Sequence, residues 1–165
     1  MSTFVSVGNA TQPFSRLLDA VARLAPQLPQ PVTVQYGSNT FANAACRPVA
    51  FLDMESFTAH MREADLLILH AGAGVVIHAI QAGKVPVVAP RRACYGEHVD
   101  DHQLEFARAL AAAGKAVVVE DVARLAAAVD EARLRQARQS PSVQLPLLIS
   151  MVESVLAGYA KDFGS

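Results

Sequence analysis

Leu66-Leu67-Ile68-Leu69-His70-Ala71-Gly72-Ala73-Gly74-Val75-Val76-Ile77-His78 is the stretch that decides how this chain is read. Its first four residues form a continuous apolar run, which suits a strand buried on both faces. A histidine and a cluster of small residues end the run. An apolar segment follows, predicted helical over about 74–82, with Gly83 placed as its C-terminal cap. Strand, glycine-rich turn and helix in that order open a βαβ unit.

The same alternation extends in both directions. Apolar runs predict strands over 3–7, 31–35, 49–52, 85–89 and 117–119. Helical spacing predicts helices over 14–24, through Phe57 and Met61, over 102–113 with Gly114 as the stop, and over 122–137. The expected fold class is α/β: a Rossmann-like, doubly wound parallel sheet in a single domain over 1–165. Ser140-Pro141 reads as a break, followed by a helical tail over about 141–160. That tail is apolar on nearly every side between Leu147 and Tyr159, more than one intramolecular face requires.

Composition narrows the function classes. The chain is 52% hydrophobic and 18% charged, which excludes a disordered polymer. Fourteen basic against fifteen acidic residues give a net charge of -1, so no electrostatic footprint for nucleic acid is present. Cys46 and Cys94 form neither a disulfide framework nor a metal-spacing motif, and are expected to stay reduced in the cytoplasm. The N-terminus reads straight into a strand without a basic leader. No apolar run approaches the roughly 18 residues a membrane span needs. Any membrane contact is therefore expected to come through a surface or a partner.

Ligands of such sheets bind at the carboxyl ends of the strands, so three loops carry the functional information. In the first, Gly8-Asn9 directly follows a strand, where a glycine lets backbone approach a ligand closely; an ordinary tight turn is the alternative. In the second, Gly72, Ala73, Gly74 and Val75 leave no large side chain over a helix N-terminus, where free N–H groups and the dipole favour phosphate. The six-residue dinucleotide fingerprint is absent, and close helix–strand packing would also explain the glycines. The third loop runs from Pro90 to Gln103 and crowds Arg91, Arg92, Glu97, His98, Asp100, Asp101 and His102 together. A two-histidine, one-carboxylate metal site is one reading, and helix capping by the aspartates another. Donors and acceptors aimed at a polyhydroxylated ligand fit the mixture best, and no metal is expected.

Taken together, Val-Gly with Gln-Pro-Phe, Val-Gln-Tyr-Gly, His-Ala-Gly-Ala-Gly, Val-Pro-Val-Val-Ala-Pro-Arg and Gly-Glu-His-Val-Asp-Asp-His-Gln resemble the C-terminal domain of glycosyltransferase family 28. The likeness spans about 3–119 and is greatest to the stand-alone PssE-type subunit of bacterial exopolysaccharide synthesis. The catalytic subunit of the split N-acetylglucosaminyltransferase for dolichol-linked glycans is similar. The resemblance implies half of a GT-B enzyme, a UDP-sugar-dependent hexosyltransferase of the inverting type. This half holds the UDP-sugar, while a membrane-anchored N-terminal-half subunit presents a lipid-linked acceptor. It implies no cofactor, and a cytoplasmic protein recruited to the inner face of the membrane through that partner.

By position, the resemblance assigns the Phe51-Leu52 backbone to uracil, Gly72, Ala73, Gly74 and Val75 to the diphosphate, and His102-Gln103 to donor sugar hydroxyls. Gly8 and Asn9 fall near the nucleotide, where relatives more often carry Thr or Ser. Arg91 is expected to assist with the diphosphate or, beside Arg92, with a donor carboxylate, and Glu97 to join the donor contacts. Relatives place an acidic residue four positions after the second glycine to hold ribose, and here His78 stands there. His78 is accordingly expected to face the ribose. The catalytic base is expected on the partner, with His98 and His102 as the candidates within this chain. The alternatives are a non-catalytic nucleotide-sugar-binding or regulatory subunit, and a nucleotide-sugar epimerase of similar architecture.

Overall fold

The structure is a computed structural model and describes residues 1–139. Six strands form one sheet in the order β3-β2-β1-β4-β5-β6, with every pairing parallel. They are β1 (Thr3–Ser6), β2 (Val32–Gln35), β3 (Cys46–Val49), β4 (Leu66–His70), β5 (Val87–Ala89) and β6 (Val117–Val118). Four α-helices lie between strands, α1 (Ser15–Leu24), α2 (Met54–Glu63), α3 (Ala73–Gln81) and α4 (His102–Ala112), and α5 (Leu125–Arg138) follows β6. Chain order reverses between β1 and β4, and this switch point is where an open α/β sheet leaves a crevice. The expected doubly wound architecture is therefore what the chain forms. The break at Ser140-Pro141 and the apolar tail lie outside the described residues.

Alternation along the strands explains the layering. Val5, Val7, Val32, Val34, Leu66, Ile68, Val87 and Ala89 point to one face, packing on Leu17, Leu18 and Val21 of α1 and on Leu125 and Val129 of α5. Their neighbours Phe4, Leu67 and Leu69 point to the other face, against Met61 of α2 and Ala79 of α3. Val88 joins Val76, Ile80, Phe106 and Leu110 on that same side, under α3 and α4. Both faces are covered, which is why the central strands are apolar at every position.

Two helix ends are fixed by glycine. After α3, Gly83 adopts φ +77°, its N–H bonds the Ile80 carbonyl, and the Lys84 N–H bonds Ala79. Gly114 repeats this after α4, with φ +68° and the Gly114 and Lys115 amides on Ala111 and Leu110. These paired bonds define the Schellman motif expected at both stops.

One strand differs from expectation. The apolar run at 49–52 predicts a strand there, but β3 lies three residues earlier, pairing Val32↔Cys46 through Gln35↔Val49. It is an edge strand with Arg47 and Pro48 exposed, so it needs no continuous apolar run, and proline is tolerated. Phe51 and Leu52 consequently sit in the loop beyond its carboxyl end.

Phe4 is the aromatic centre of the α2–α3 side: fully buried, stacked on His60 at 5.1 Å and edge-on to Phe57 at 5.6 Å. Phe4→Ala is expected to lower unfolding free energy by about 3–5 kcal/mol in chemical denaturation. A loss below about 1 kcal/mol would show that this face is not close-packed.

Candidate functional site

Two hollows flank the N-terminus of α3 at the switch point. One, of about 200 Å³, is lined by Ser6, Gly8, Asn9, Gln35 and His70 and walled by Leu52, Met54, Phe57 and Val75. The other, of about 180 Å³, lies on the α4 side, where Ala71, Gly72 and Ala73 face His98, His102 and Gln103. Between them Gly72 is the N-cap of α3 and offers no side chain to the first-turn amides. The N–H groups at such a helix start have no intrahelical partner and suit an anion. Larger hollows lie beside edge strand β6, at about 570 Å³, and at the amino ends of β2 and β3, at about 410 Å³. Neither lies where the loops of the switch point converge.

The glycines at this point have different reasons to be glycine. A Cβ on Gly8, which holds φ +80°, would meet His70 Nε2 at 2.5 Å, and one on Gly72 would meet the same atom at 2.3 Å. The imidazole thus occupies the space that both glycines leave. Gly74 has nothing within 4 Å of a Cβ position, so only there does the missing side chain leave open space. His70 did not stand out in the sequence, where it served only as the end of an apolar strand. Its signal was the pairing of a histidine with Gly-x-Gly immediately after that strand.

His70 is held neutral. Burial, reinforced by the nearby Arg91 charge, pushes its pKa from 6.5 down to about 4, and the Ser6 backbone offsets only part of this. No well-formed hydrogen bond closes on its Nδ1 among the described residues.

Arg91 and Glu97, both expected at the donor, are each engaged within the protein. Arg91 is fully buried, and its guanidinium donates to the carbonyls of Val7 at 2.6 Å, Gln12 at 2.8 Å and Glu97 at 3.0 Å. It also lies 4.8 Å from the Phe14 ring centroid. Both Nη atoms are thus committed to carbonyls of this chain. Its function here is to tie the loop after β1 to the loop after β5. Glu97 is 3% exposed, and its carboxylate accepts from Arg16 Nη2 at 2.9 Å and from the Arg92 amide at 3.2 Å. Its carboxylate faces Arg16 rather than the histidines. Arg92 pairs with Asp101 at 3.5 Å.

The remaining loop residues form a second cluster. Asp100 stands between two histidines, 3.1 Å from His98 Nδ1 and 3.1 Å from His102 Nδ1. Asp100 also accepts the His102 amide at 3.0 Å, so it caps the start of α4. Holding both rings by Nδ1 turns their Nε2 edges away from the carboxylate. Gln103 accepts the Arg91 amide through Oε1 at 3.0 Å, which fixes its side chain beside the α3 start.

The predicted residues therefore divide. Gly8, Asn9, Leu52 and Val75 line the first hollow, and Gly72, Ala73, His98, His102 and Gln103 line the second. Gly74 is exposed at the helix start between them, and Phe51 is exposed in the loop after β3. His78 is half-buried one turn further along α3 and lines neither hollow.

A parallel, doubly wound sheet with two hollows about one helix N-terminus defines a Rossmann-like ligand-binding half. The family model described as the glycosyltransferase family 28 C-terminal domain matches residues 2–145. The chain belongs to that family. It is similar in fold to the crystal structure of the glycotransferase of kitacinnamycin, with a TM-score of 0.62 and 21% identity over 94% of this chain and 39% of that one. SnogD, a glycosyltransferase from Streptomyces nogalater, aligns over 96% of this chain and 43% of its own, at 19% identity and a TM-score of 0.46. This chain thus spans about two-fifths of the length of either. Comparison with curated proteins gives no match.

The His70 shift has a testable sign. Its folded pKa of about 4 lies below the ordinary 6.5, so the unfolded chain takes up the proton first as pH falls. The stabilisation is complete above the unfolded value and disappears through this window, amounting to about 3 kcal/mol. Urea unfolding followed from about pH 7 to about pH 4 should show that loss. His70→Asn should remove this share of the slope, and an unchanged slope in the variant would contradict the assignment.

Proposed function

We propose that the chain is the donor-binding half of an inverting glycosyltransferase that works as two components. In this reading a UDP-sugar lies across the N-terminus of α3. Its diphosphate meets the Gly72, Ala73, Gly74 and Val75 backbone, its nucleoside enters the hollow toward α2, and its sugar faces His102 and Gln103. The observation that carries the reading is the pair of hollows on either side of one uncapped helix start. A ligand with a charged centre and two uncharged arms matches that layout. Membership of the glycosyltransferase family supplies the reaction class.

The acceptor oxygen attacks the anomeric carbon from the face opposite the diphosphate. The new glycosidic bond forms as the bond to the diphosphate oxygen breaks, which inverts the centre. The departing oxygen takes the bonding pair, and the helix N-terminus stabilises the charge that accumulates there. The acceptor's proton passes to a base. We assign that base to a membrane-anchored subunit that presents a lipid-linked acceptor in exopolysaccharide or glycan synthesis. His98 and His102, oriented by Asp100, are the candidates within this chain. The reading calls on no cofactor beyond the donor itself. No helix among the described residues is long and apolar enough to cross a membrane, which accords with attachment through a partner.

Gly74→Phe tests the centre of the site without disturbing the fold, because a side chain there enters open space. The variant should unfold at the wild-type temperature yet bind UDP at least about 10-fold more weakly in calorimetry, about 1.4 kcal/mol. Equal UDP affinity would remove the α3 start as the diphosphate site. The complex with the membrane-anchored subunit should transfer sugar, whereas this chain alone should not. Binding without transfer in that complex would favour the non-catalytic reading.

A further inference from the structure

We propose that Gln35 is a specificity-determining residue, whose buried side-chain oxygen accepts a hydrogen bond from the nucleoside of the bound donor. The inference rests on the donor-binding reading above and adds to it a role for Gln35, which lies within the Val-Gln-Tyr-Gly motif but received no assignment from it.

Gln35 is the last residue of β2 and is 4% exposed. Strand alternation sends Val34 into the core under α1 and turns Gln35 to the opposite face, toward the hollow. Its Oε1 is buried and has no hydrogen-bond partner among the described residues. Folded proteins pair nearly all such atoms, and burying one unpaired costs stability that a leucine or methionine of similar size would not. An acceptor kept in this condition points to a donor that arrives from outside the chain.

The surroundings restrict what that donor belongs to. Leu52, Met54, Phe57 and Val75 give the hollow apolar walls, and its buried polar points are Ser6, which already accepts the Gly8 amide at 3.3 Å, and the pair Gln35 and His70. A free sugar would leave most of its hydroxyls against hydrocarbon, and a phosphate would lose its hydration without gaining a cation. A nucleoside presents a flat ring to the walls and a few directed polar groups to the buried pair. The hollow opens beside the α3 start, so a ligand anchored there by its diphosphate brings its nucleoside to this place. Two groups carry the required chemistry, the imide N–H of uracil and a ribose O–H.

The test compares wild type with Gln35→Leu, and with Gln35→Met as a second variant, each titrated by nuclear magnetic resonance and calorimetry. The ligands are UDP, N3-methyl-UDP without the imide donor, and 2′,3′-dideoxy-UDP without ribose hydroxyls. Both variants should unfold at or above the wild-type temperature, since each removes an unpaired buried acceptor. Both should lose about 10-fold in UDP affinity. Wild type should also discriminate about 10-fold against one of the two analogues, and the variants should not. Discrimination against N3-methyl-UDP places the contact on the base, and discrimination against the dideoxy compound places it on the ribose.

If wild type and variants bind UDP equally well, the inference falls while the donor-binding reading stands. It falls also if the variants bind UDP weakly yet still discriminate against the analogue, because Gln35 would then act only through the fold. Failure of wild type to bind UDP at all overturns both.

Discussion

The buried guanidinium of Arg91 holds the ligand-facing end of this molecule together. A charge removed from water is costly unless hydrogen bonds and opposite charge replace its hydration. Arg91 receives three backbone carbonyls, an aromatic face from Phe14 and the field of Glu97. The carbonyls come from the loop after β1 and from the loop after β5, segments some eighty residues apart in sequence. Arg16 repeats the connection from α1, reaching the Glu97 carboxylate and the carbonyls of Pro90 and Glu120. The two loops that border the α3 start are thus held at one spacing. Loss of the Glu97 carboxylate would take its ion pair from Arg16 and the opposing field from buried Arg91 at once.

A consequence is that the conspicuous charges of Arg91 and Glu97 stand apart from the residues lining the two hollows. Arg91 and Glu97 have the charges a nucleotide-sugar site invites, yet both are consumed in building the loops. The groups left at the two hollows are mostly uncharged: backbone amides, a neutral imidazole, carboxamides and the two rings held by Asp100. On the proposed reading, such a surface suits a ligand whose own charge is confined to a diphosphate, which the helix start would meet. His70 fits this pattern. It fills the space between Gly8 and Gly72 while staying neutral, which keeps a second positive charge away from Arg91.

The sheet was largely legible in the sequence. Buried parallel strands must be apolar on both faces, and Leu66-Leu67-Ile68-Leu69 has no other economical explanation. Glycine stops at Gly83 and Gly114 were equally readable, since positive φ at a helix end has few other solutions. The edge strand was misplaced because half-exposed Cys46–Val49 carries no such pattern, while the more apolar 49–52 does. The site was less legible than the fold. Burial of Arg91 depends on three carbonyls that only the tertiary arrangement brings together. His70 and Gln35 each close an apolar strand, where a polar residue reads as punctuation. Only the hollow beneath the loops shows them converging. Gly72 and Gly74 looked equivalent in sequence, and the His70 ring distinguishes them.

On the proposed reading, the geometry of the α3 start also bears on why a second surface is called for. Electrostatic stabilisation of a leaving diphosphate is worth most where water is excluded. Both hollows are partly open among the described residues. The segments after β3 and β5 carry an apolar rim of exposed side chains: Phe51 and Met54 in the first, Tyr95 and Val99 in the second. Tyr95 is held at this position by the Arg16 guanidinium, 4.8 Å from its ring centroid. The network that fixes the two loops therefore also presents part of an apolar rim around the α3 start. On the proposed reading, a second component that closes over this rim would bury the apolar side chains, displace water from the diphosphate and bring the acceptor to the anomeric carbon. Those three effects follow from one contact, so the same surface that assembles the enzyme would also switch on its electrostatics.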